Sequence, residues 1–96
     1  MRAVGLYARA AAWDDGKPLG EQDGIRAHLE YLTGLGARGL VTRGGPFHAG
    51  DVLVEEDPVG LIVFATGDLE EARRLVERDP AVERGLMSCR VLPWYL

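Results

Sequence analysis

The segment VGLIVFAT, residues 59–66, is the part of the chain that decides the fold. It is an unbroken apolar run with branched and aromatic residues and turn-forming residues on both sides, which predicts a β-strand. A strand with one solvated face would alternate apolar and polar residues. Because LIVFA, residues 61–65, does not alternate, we expect a central strand with both faces buried.

Two segments with helical periodicity and three further apolar segments surround this strand. The periodicity predicts helices in IRAHLEYLTGLG, residues 25–36, and in TGDLEEARRLVERD, residues 66–79. The remaining strands are predicted at Arg2–Arg9, at Leu40–Arg43 and in LMSCRVLPWYL, residues 86–96. The order strand, helix, strand, strand, helix, strand predicts an α+β, ferredoxin-like βαββαβ subunit, with a four-stranded antiparallel sheet and two helices on one face.

The second face of the predicted sheet needs a cover, because the two helices occupy only the first. A second copy of the chain, packed sheet to sheet in a symmetric homodimer, is the simplest cover and is our prediction. The alternative is a long loop, such as Ala10–Gly24, folded across the sheet. A single 96-residue domain spanning residues 1–96 has a small core and often needs such help.

Composition excludes several classes of protein. The net charge of −4 argues against duplex nucleic-acid binding, which normally shows a basic footprint. No apolar run approaches the roughly 20 residues that cross a bilayer, and the N-terminal segment is not a convincing signal peptide, so we expect a soluble, cytoplasmic protein. Cys89 is the only cysteine, which excludes an internal disulfide and a thiolate zinc site.

The residues that could bind metal are few. His48 and Asp51 lie in a predicted loop, beside an apolar piece, Val52–Val54, that is either a strand extension or part of that loop. A metal site would need more converging ligands than this chain with two histidines offers. We therefore expect neither a metal nor an organic cofactor. The aromatic residues are interpreted as core or interface anchors, among them Tyr7, Tyr31, Trp13, Trp94 and Tyr95.

His28 and Asp79 are the candidate acid–base residues. His28 follows Ile25 by three positions and precedes Leu32 by four, so it lies on the apolar stripe of the first helix. Asp79 follows Val76 by three positions and continues the buried side of the second helix. Because both helices pack on one face of the sheet, these two polar groups could meet.

The position of Asp79 has several interpretations. It stands at the end of a helix, where an anion is disfavoured, and precedes Pro80. It could be a solvated cap, a turn former or half of an acid–base pair, and a buried His28 could equally be satisfied by backbone groups. In a pair, the carboxylate would fix the imidazole tautomer and leave the other ring nitrogen free for proton transfer near neutral pH.

The chain resembles the YCII-related (YciI-like) family. The resemblance lies in HLEYLTGLGARGLVTRGGPF, residues 28–47, in DLEEARRLVERDPAVERGL, residues 68–86, and in the terminal VLPW. It implies a dimeric α+β barrel of ferredoxin-like subunits with an active site built on His28 and Asp79. Some relatives are lyases acting on chlorinated hydroxyquinols, and the wider superfamily includes muconolactone isomerase. Members often carry a bulky aromatic residue after Asp-Pro, where this chain has Ala81.

Three residues near the second strand are candidate ligand-binding positions. The planar guanidinium of Arg43 could bind an anionic substrate, or it could be a solvated strand end. Gly45 and Pro46 are best explained as a turn whose backbone amides could line a pocket. The RGGP segment is not a phosphate loop, because neither Lys-Ser/Thr nor a helix follows it.

Two functions from different classes are compatible with these features. The first is a cofactor-independent lyase or isomerase, with His28 as general acid/base, Asp79 as its orienting partner and a pocket between helices and sheet near the dimer interface. The second is a non-catalytic metabolite-binding or accessory dimeric module, in which the same pair is a structural hydrogen bond.

Overall fold

The computed structural model describes residues 1–47 and 57–95. Within these ranges the chain forms a four-stranded sheet, two long helices and two short helical turns. The elements in chain order are β1 (Arg2–Arg9), a 3-10 turn (Leu19–Glu21), α1 (Ile25–Ala37), β2 (Val41–Pro46), β3 (Gly60–Phe64), α2 (Leu69–Glu77), α3 (Pro80–Glu83) and β4 (Met87–Trp94). The order of the main elements is confirmed, α3 is an addition, and His48, Asp51 and Val52–Val54 lie outside the described residues.

The sheet has the strand order β2-β3-β1-β4, and every neighbouring pair is antiparallel. This is the topology that the ferredoxin-like prediction requires, and the predicted α+β fold class is confirmed. Strand β3 lies inside the sheet, between β1 and β2, as its apolar sequence predicts. Strand β2 is an edge strand with an irregular register between Val41 and Arg43.

The core lies between the helices and one face of the sheet. Its buried residues come from the inward positions of β1, β3 and β4 and from the apolar stripes of α1 and α2. Prominent among them are Tyr7, Ile25, Ile62, Phe64, Val76 and Met87. The loop between β1 and α1 packs on this same side, because Trp13 and Leu19 lie against the core. This loop therefore does not supply the cover predicted as the alternative to a dimer.

The opposite face of the sheet carries a row of aliphatic side chains. Strand alternation places Val63 on this face, since Ile62 and Phe64 belong to the core. Val4 pairs with Val63 on one side and with Leu92 on the other, and Leu6 pairs with Leu61. No helix of the described residues packs on these side chains, so the face is available to a partner.

The two long helices differ in how fully they bury their apolar side chains. Ala72 and Val76 of α2 are buried. On α1, Ile25 and Leu35 are buried, but Leu29 is 53% exposed. Leu29 lines a cavity beside the helix. Its apolar side chain therefore contributes to the cavity wall and not to the core. No helix in the described residues is long and apolar enough to cross a membrane.

Candidate functional site

Asp79 begins a helix rather than ending one. Helix α2 stops at Glu77, and Asp79 is the N-cap of α3, where its Oδ1 accepts a hydrogen bond of 2.9 Å from the Ala81 N–H. Pro80 occupies the first turn of α3, a position at which proline costs no hydrogen bond. The macrodipole of α3 therefore favours the carboxylate, which removes the objection to an anion at this position.

The Asp79 carboxylate is also the centre of a buried hydrogen-bond network. Its Oδ2 lies 2.7 Å from the Tyr7 hydroxyl and 2.7 Å from Nδ1 of His28, and Asp79 itself is 0% exposed. An ionised carboxylate only accepts hydrogen bonds, so both partners act as donors. In the neutral imidazole this assignment protonates Nδ1 and leaves the lone pair on Nε2.

The position of His28 depends on a glycine turn. Gly24 caps the start of α1 with a φ of 90°, in the left-handed region that favours glycine. A Cβ atom at Gly24 would also lie 2.9 Å from Nη1 of Arg84. The backbone N–H of His28 donates to the Gly24 carbonyl, so this turn sets the position of the imidazole on the first turn of the helix.

Tyr7 is the site residue that sequence reasoning placed only in the core or interface. It is 3% exposed, and its ring meets the His28 ring edge to face with centroids 5.0 Å apart. Burial, followed by the hydrogen bond to Asp79, raises the pKa of the Tyr7 phenol above its ordinary range, so the hydroxyl remains a donor. A buried tyrosine needs a partner for its hydroxyl, but its inward position on β1 does not indicate which group that partner is.

A cavity of about 320 Å³ opens beside His28, between α1 and the sheet. Its walls are largely aliphatic and include Leu19, Ile25, Leu32, Val59, Ile62 and Met87. Among the described lining residues, Tyr7 and His28 alone have polar side chains, and none has a formal charge at neutral pH apart from His28 when it is protonated. Such a volume is at the small end of ligand sites, so the cavity suits a small, largely apolar molecule.

The free nitrogen of His28 is accessible from this cavity. In the part of the chain that the structure describes, every buried side-chain nitrogen and oxygen has a hydrogen-bond partner. Nε2 of His28 has none there, so it is not a buried atom. Because His28 lines the cavity and its Nδ1 is held by Asp79, Nε2 is the nitrogen that a bound molecule can reach.

The three predicted ligand-binding residues separate into two groups. Gly45 and Pro46 line the cavity. They do so as residues of β2, paired with Leu61 and Gly60 of β3, so the predicted turn at these two positions is wrong. Arg43 is exposed, pairs with Val63 and therefore lies on the face of the sheet away from the helices. The structure thus joins His28 to Asp79 and brings Gly45 and Pro46 to the same cavity, but it does not bring Arg43 there. The chemical roles of all five residues remain predictions.

Neither a metal site nor a reactive thiol accompanies the cavity in the described ranges. No group of three or more His, Cys, Asp or Glu side chains is placed there to hold a metal ion. Burial, with the nearby Asp79 charge as a second cause, raises the pKa of the Cys89 thiol to about 12. Cys89 therefore stays protonated near neutral pH.

The fold and the site together define a ferredoxin-like α+β domain with a buried His–Asp pair beside an apolar cavity. The family model of the YCII-related domain matches residues 6–95, and the chain belongs to this family. A solved structure of 5-chloro-2-hydroxyhydroquinone dehydrochlorinase (TftG) from Burkholderia phenoliruptrix AC1100, in complex with 2,5-dihydroxybenzoquinone, is similar to this chain. The two share 25% sequence identity with a TM-score of 0.64, over 97% of this chain and 93% of that one. No curated protein sequence matches.

Proposed function

We propose that this protein is a cofactor-independent enzyme of the lyase or isomerase type, which acts on a small molecule in the cavity beside His28. His28 is the general acid/base, and Asp79 orients it and stabilises its charged form. The observation that carries the proposal is the 2.7 Å bond between His28 Nδ1 and Asp79 Oδ2, which leaves Nε2 as the ring nitrogen available to a ligand.

The chemistry starts with a proton transfer to Nε2. The lone pair on this nitrogen removes a proton from the substrate, and the buried carboxylate stabilises the imidazolium that forms. In an elimination, the electron pair left on the substrate expels a leaving group as an anion. In an isomerisation, His28 returns the proton to a different atom. Both reactions need a single base, which returns the proton to the substrate in the isomerisation and releases it to solvent after the elimination.

The walls of the cavity support a particular class of ligand. The described residues that line the cavity offer aliphatic contacts and include no lysine or arginine. Such walls suit an uncharged ring better than a carboxylate. The similar dehydrochlorinase is named for a chlorinated hydroxyhydroquinone and holds 2,5-dihydroxybenzoquinone. A hydroxylated six-membered ring is therefore the ligand class that we propose, with one hydroxyl directed at Nε2.

Turnover of 5-chloro-2-hydroxyhydroquinone tests the proposal directly. Chloride release by the wild-type protein is compared with release by H28Q and D79N. We expect both variants to lose a factor on the order of 10² or more. E30Q is the matched control, because Glu30 lies exposed on the same helix, and it should keep the wild-type rate. Undiminished turnover in H28Q would refute the dyad mechanism.

The second candidate function is a non-catalytic metabolite-binding or accessory module. It is favoured by the structural use of Asp79, whose carboxylate also caps α3 and binds Tyr7. Under this alternative, 2,5-dihydroxybenzoquinone raises the thermal midpoint, but 5-chloro-2-hydroxyhydroquinone is not turned over. H28A then loses much stability, while the wild-type protein has no activity to lose.

We further propose that the protein works as a cytoplasmic homodimer, in which a second copy covers the open face of the sheet. The aliphatic row of Val4, Leu6, Val63 and Leu92 supports this arrangement, and a single cysteine without an in-chain partner suits a reducing compartment. Light scattering should give twice the chain mass. L92R should reduce that mass, whereas T33E, at an exposed position on α1, should leave it unchanged.

A further inference from the structure

We propose that Tyr7 is a positioning residue for His28: its hydroxyl holds the Asp79 carboxylate in the orientation that receives the Nδ1 proton. The catalytic meaning of this inference rests on the proposed function. Its structural content does not, since it concerns one network of three side chains.

The argument begins with the freedom of a carboxylate. An aspartate side chain turns about its terminal bond and can offer either oxygen unless both are held. In this protein Oδ1 is held by the Ala81 N–H at 2.9 Å and Oδ2 by the Tyr7 hydroxyl at 2.7 Å. These two donors fix the plane of the carboxylate without any contribution from His28. The remaining acceptor site on Oδ2 then faces the imidazole.

Tyr7 is itself held firmly enough to do this. It lies in β1 with Gly60 as its partner on β3 and Cys89 as its partner on β4, and its carbonyl accepts the Val59 N–H at 2.7 Å. A strand paired on both sides supplies a more rigid anchor than a loop. The edge-to-face contact between the Tyr7 and His28 rings adds a second link, so one tyrosine fixes both members of the pair.

Nuclear magnetic resonance of the whole protein tests the inference without any substrate. In the wild-type protein, ¹⁵N shifts should give a single His28 tautomer protonated at Nδ1. The Nδ1 proton should be visible and should show a cross-peak to the Tyr7 hydroxyl proton, because both donors meet the same oxygen. In Y7F we expect the Nδ1 proton to exchange with water on the order of tenfold faster and the single tautomer to be lost.

Y31F is the matched control. Tyr31 lies on α1, and its hydroxyl donates to the Leu75 carbonyl at 2.5 Å and not to Asp79, so its loss removes a tyrosine hydroxyl close to the site without touching the carboxylate. The His28 signals should be unchanged in this variant. Equal effects in Y7F and Y31F, or an unchanged His28 spectrum in Y7F, would overturn the inference. If Y7F does not fold, the test is the wild-type cross-peak between the His28 Nδ1 proton and the Tyr7 hydroxyl proton. Its absence would overturn the inference that Tyr7 positions His28.

A kinetic measurement separates this inference from the proposed function. Where chloride release occurs, Y7F should lower kcat roughly tenfold or more with little change in KM, because the phenyl ring still lines the cavity. Loss of kcat with a normal His28 spectrum would refute positioning. Absence of turnover in the wild-type protein would refute the proposed function and leave the spectroscopic result to stand alone.

Discussion

Nδ1 of His28 and Oδ2 of Asp79 lie 2.7 Å apart, although 51 positions separate the two residues along the chain. The contact exists because α1 and the turn between α2 and α3 pack on the same side of the sheet. It joins a helix to a turn and, through Tyr7, to the strand β1.

Replacing Asp79 by alanine should destabilise the fold strongly. D79A removes the acceptor of three donors, on Tyr7, His28 and Ala81, in a place that water does not reach. We expect a loss of about 3–5 kcal/mol in the free energy of unfolding, as found when one partner of a buried polar pair is removed. Urea denaturation followed by circular dichroism measures it.

Asp68 provides the control for this loss, because it also caps a helix. Its Oδ1 accepts hydrogen bonds from the backbone N–H groups of Glu70 and Glu71 at the exposed start of α2. D68A should therefore cost only about 1 kcal/mol, the usual value of an N-cap. Similar losses in D68A and D79A would mean that the contacts of Asp79 with Tyr7 and His28 contribute nothing to stability.

Close packing between β1 and β4 should make Gly5 intolerant of a side chain. A Cβ atom at this position would lie 2.9 Å from Sγ of Cys89 and 3.1 Å from Cγ1 of Ile62. G5A should therefore cost about 1–3 kcal/mol through overpacking. Because C89A removes the nearest atom, G5A/C89A should be more stable than the sum of the two single changes predicts. Strict additivity of the three unfolding free energies would contradict this account.

Gln22 should hold the loop that forms one side of the cavity. Its side chain is 3% exposed, donates to the carbonyls of Asp14 and Lys17, and accepts from the Asp14 N–H. Q22A should cost about 1–3 kcal/mol, because three part-buried hydrogen bonds to the loop backbone are lost, and should speed amide exchange between residues 14 and 22. If the protein has the proposed function, the affinity for 2,5-dihydroxybenzoquinone should also fall in Q22A, because Leu19 belongs to this loop and lines the cavity.

A neighbouring residue supplies the comparison for Q22A. Glu21 lies in the same 3-10 turn but is exposed. E21A should change the unfolding free energy by less than about 0.5 kcal/mol and should leave ligand affinity unchanged. A loss in E21A equal to that in Q22A would show that the turn, and not the buried amide, holds the loop.

Stability should fall at alkaline pH because two buried groups resist ionisation in the folded state. Burial raises the pKa of Cys89 from its reference value of 9.0 to about 12 and raises that of Tyr7 above its reference value of 10.0. Both groups then lose protons more readily in the unfolded chain. Their contribution to stability is complete below pH 9 and falls as the pH rises, by at most about 1.4 kcal/mol per pH unit for each group.

C89A isolates the contribution of the thiol. Between pH 9 and 10, the slope of unfolding free energy against pH should be shallower in C89A than in the wild-type protein, while the slopes between pH 7 and 8 should agree. Urea titrations at four pH values supply these slopes. A wild-type protein whose stability does not decline above pH 9 would contradict the burial of both groups.

The sequence predicts the order of the strands and helices and the meeting of His28 with Asp79, but not the part that Tyr7 plays in the candidate site. The run from Leu61 to Ala65 has no polar interruption, so its interior position in the sheet is predictable from hydrophobicity alone. His28 and Asp79 are found by helical spacing, although Asp79 proves to begin a helix. Tyr7 could not be assigned to the site, because a tyrosine on a buried strand has the same pattern whether its hydroxyl meets a carboxylate or a carbonyl.

The face of the sheet on which Arg43 lies was not predictable from the sequence. Its place two residues before Gly45 and Pro46 suggests a position near the ligand, since those two residues line the cavity. The irregular register between Val41 and Arg43 decides the face on which the guanidinium lies. A one-residue irregularity of this kind leaves no mark in the hydrophobic pattern of an edge strand, so the side of the sheet could not be deduced.

The double use of Asp79 has a bearing on how relatives of this protein are read. Since its carboxylate starts α3 as well as holding the imidazole, a relative without the proposed activity would still need this aspartate for stability. Retention of this aspartate in a related chain is thus poor evidence of activity. A histidine at position 28 together with an open cavity beside it is the better indicator of the proposed activity.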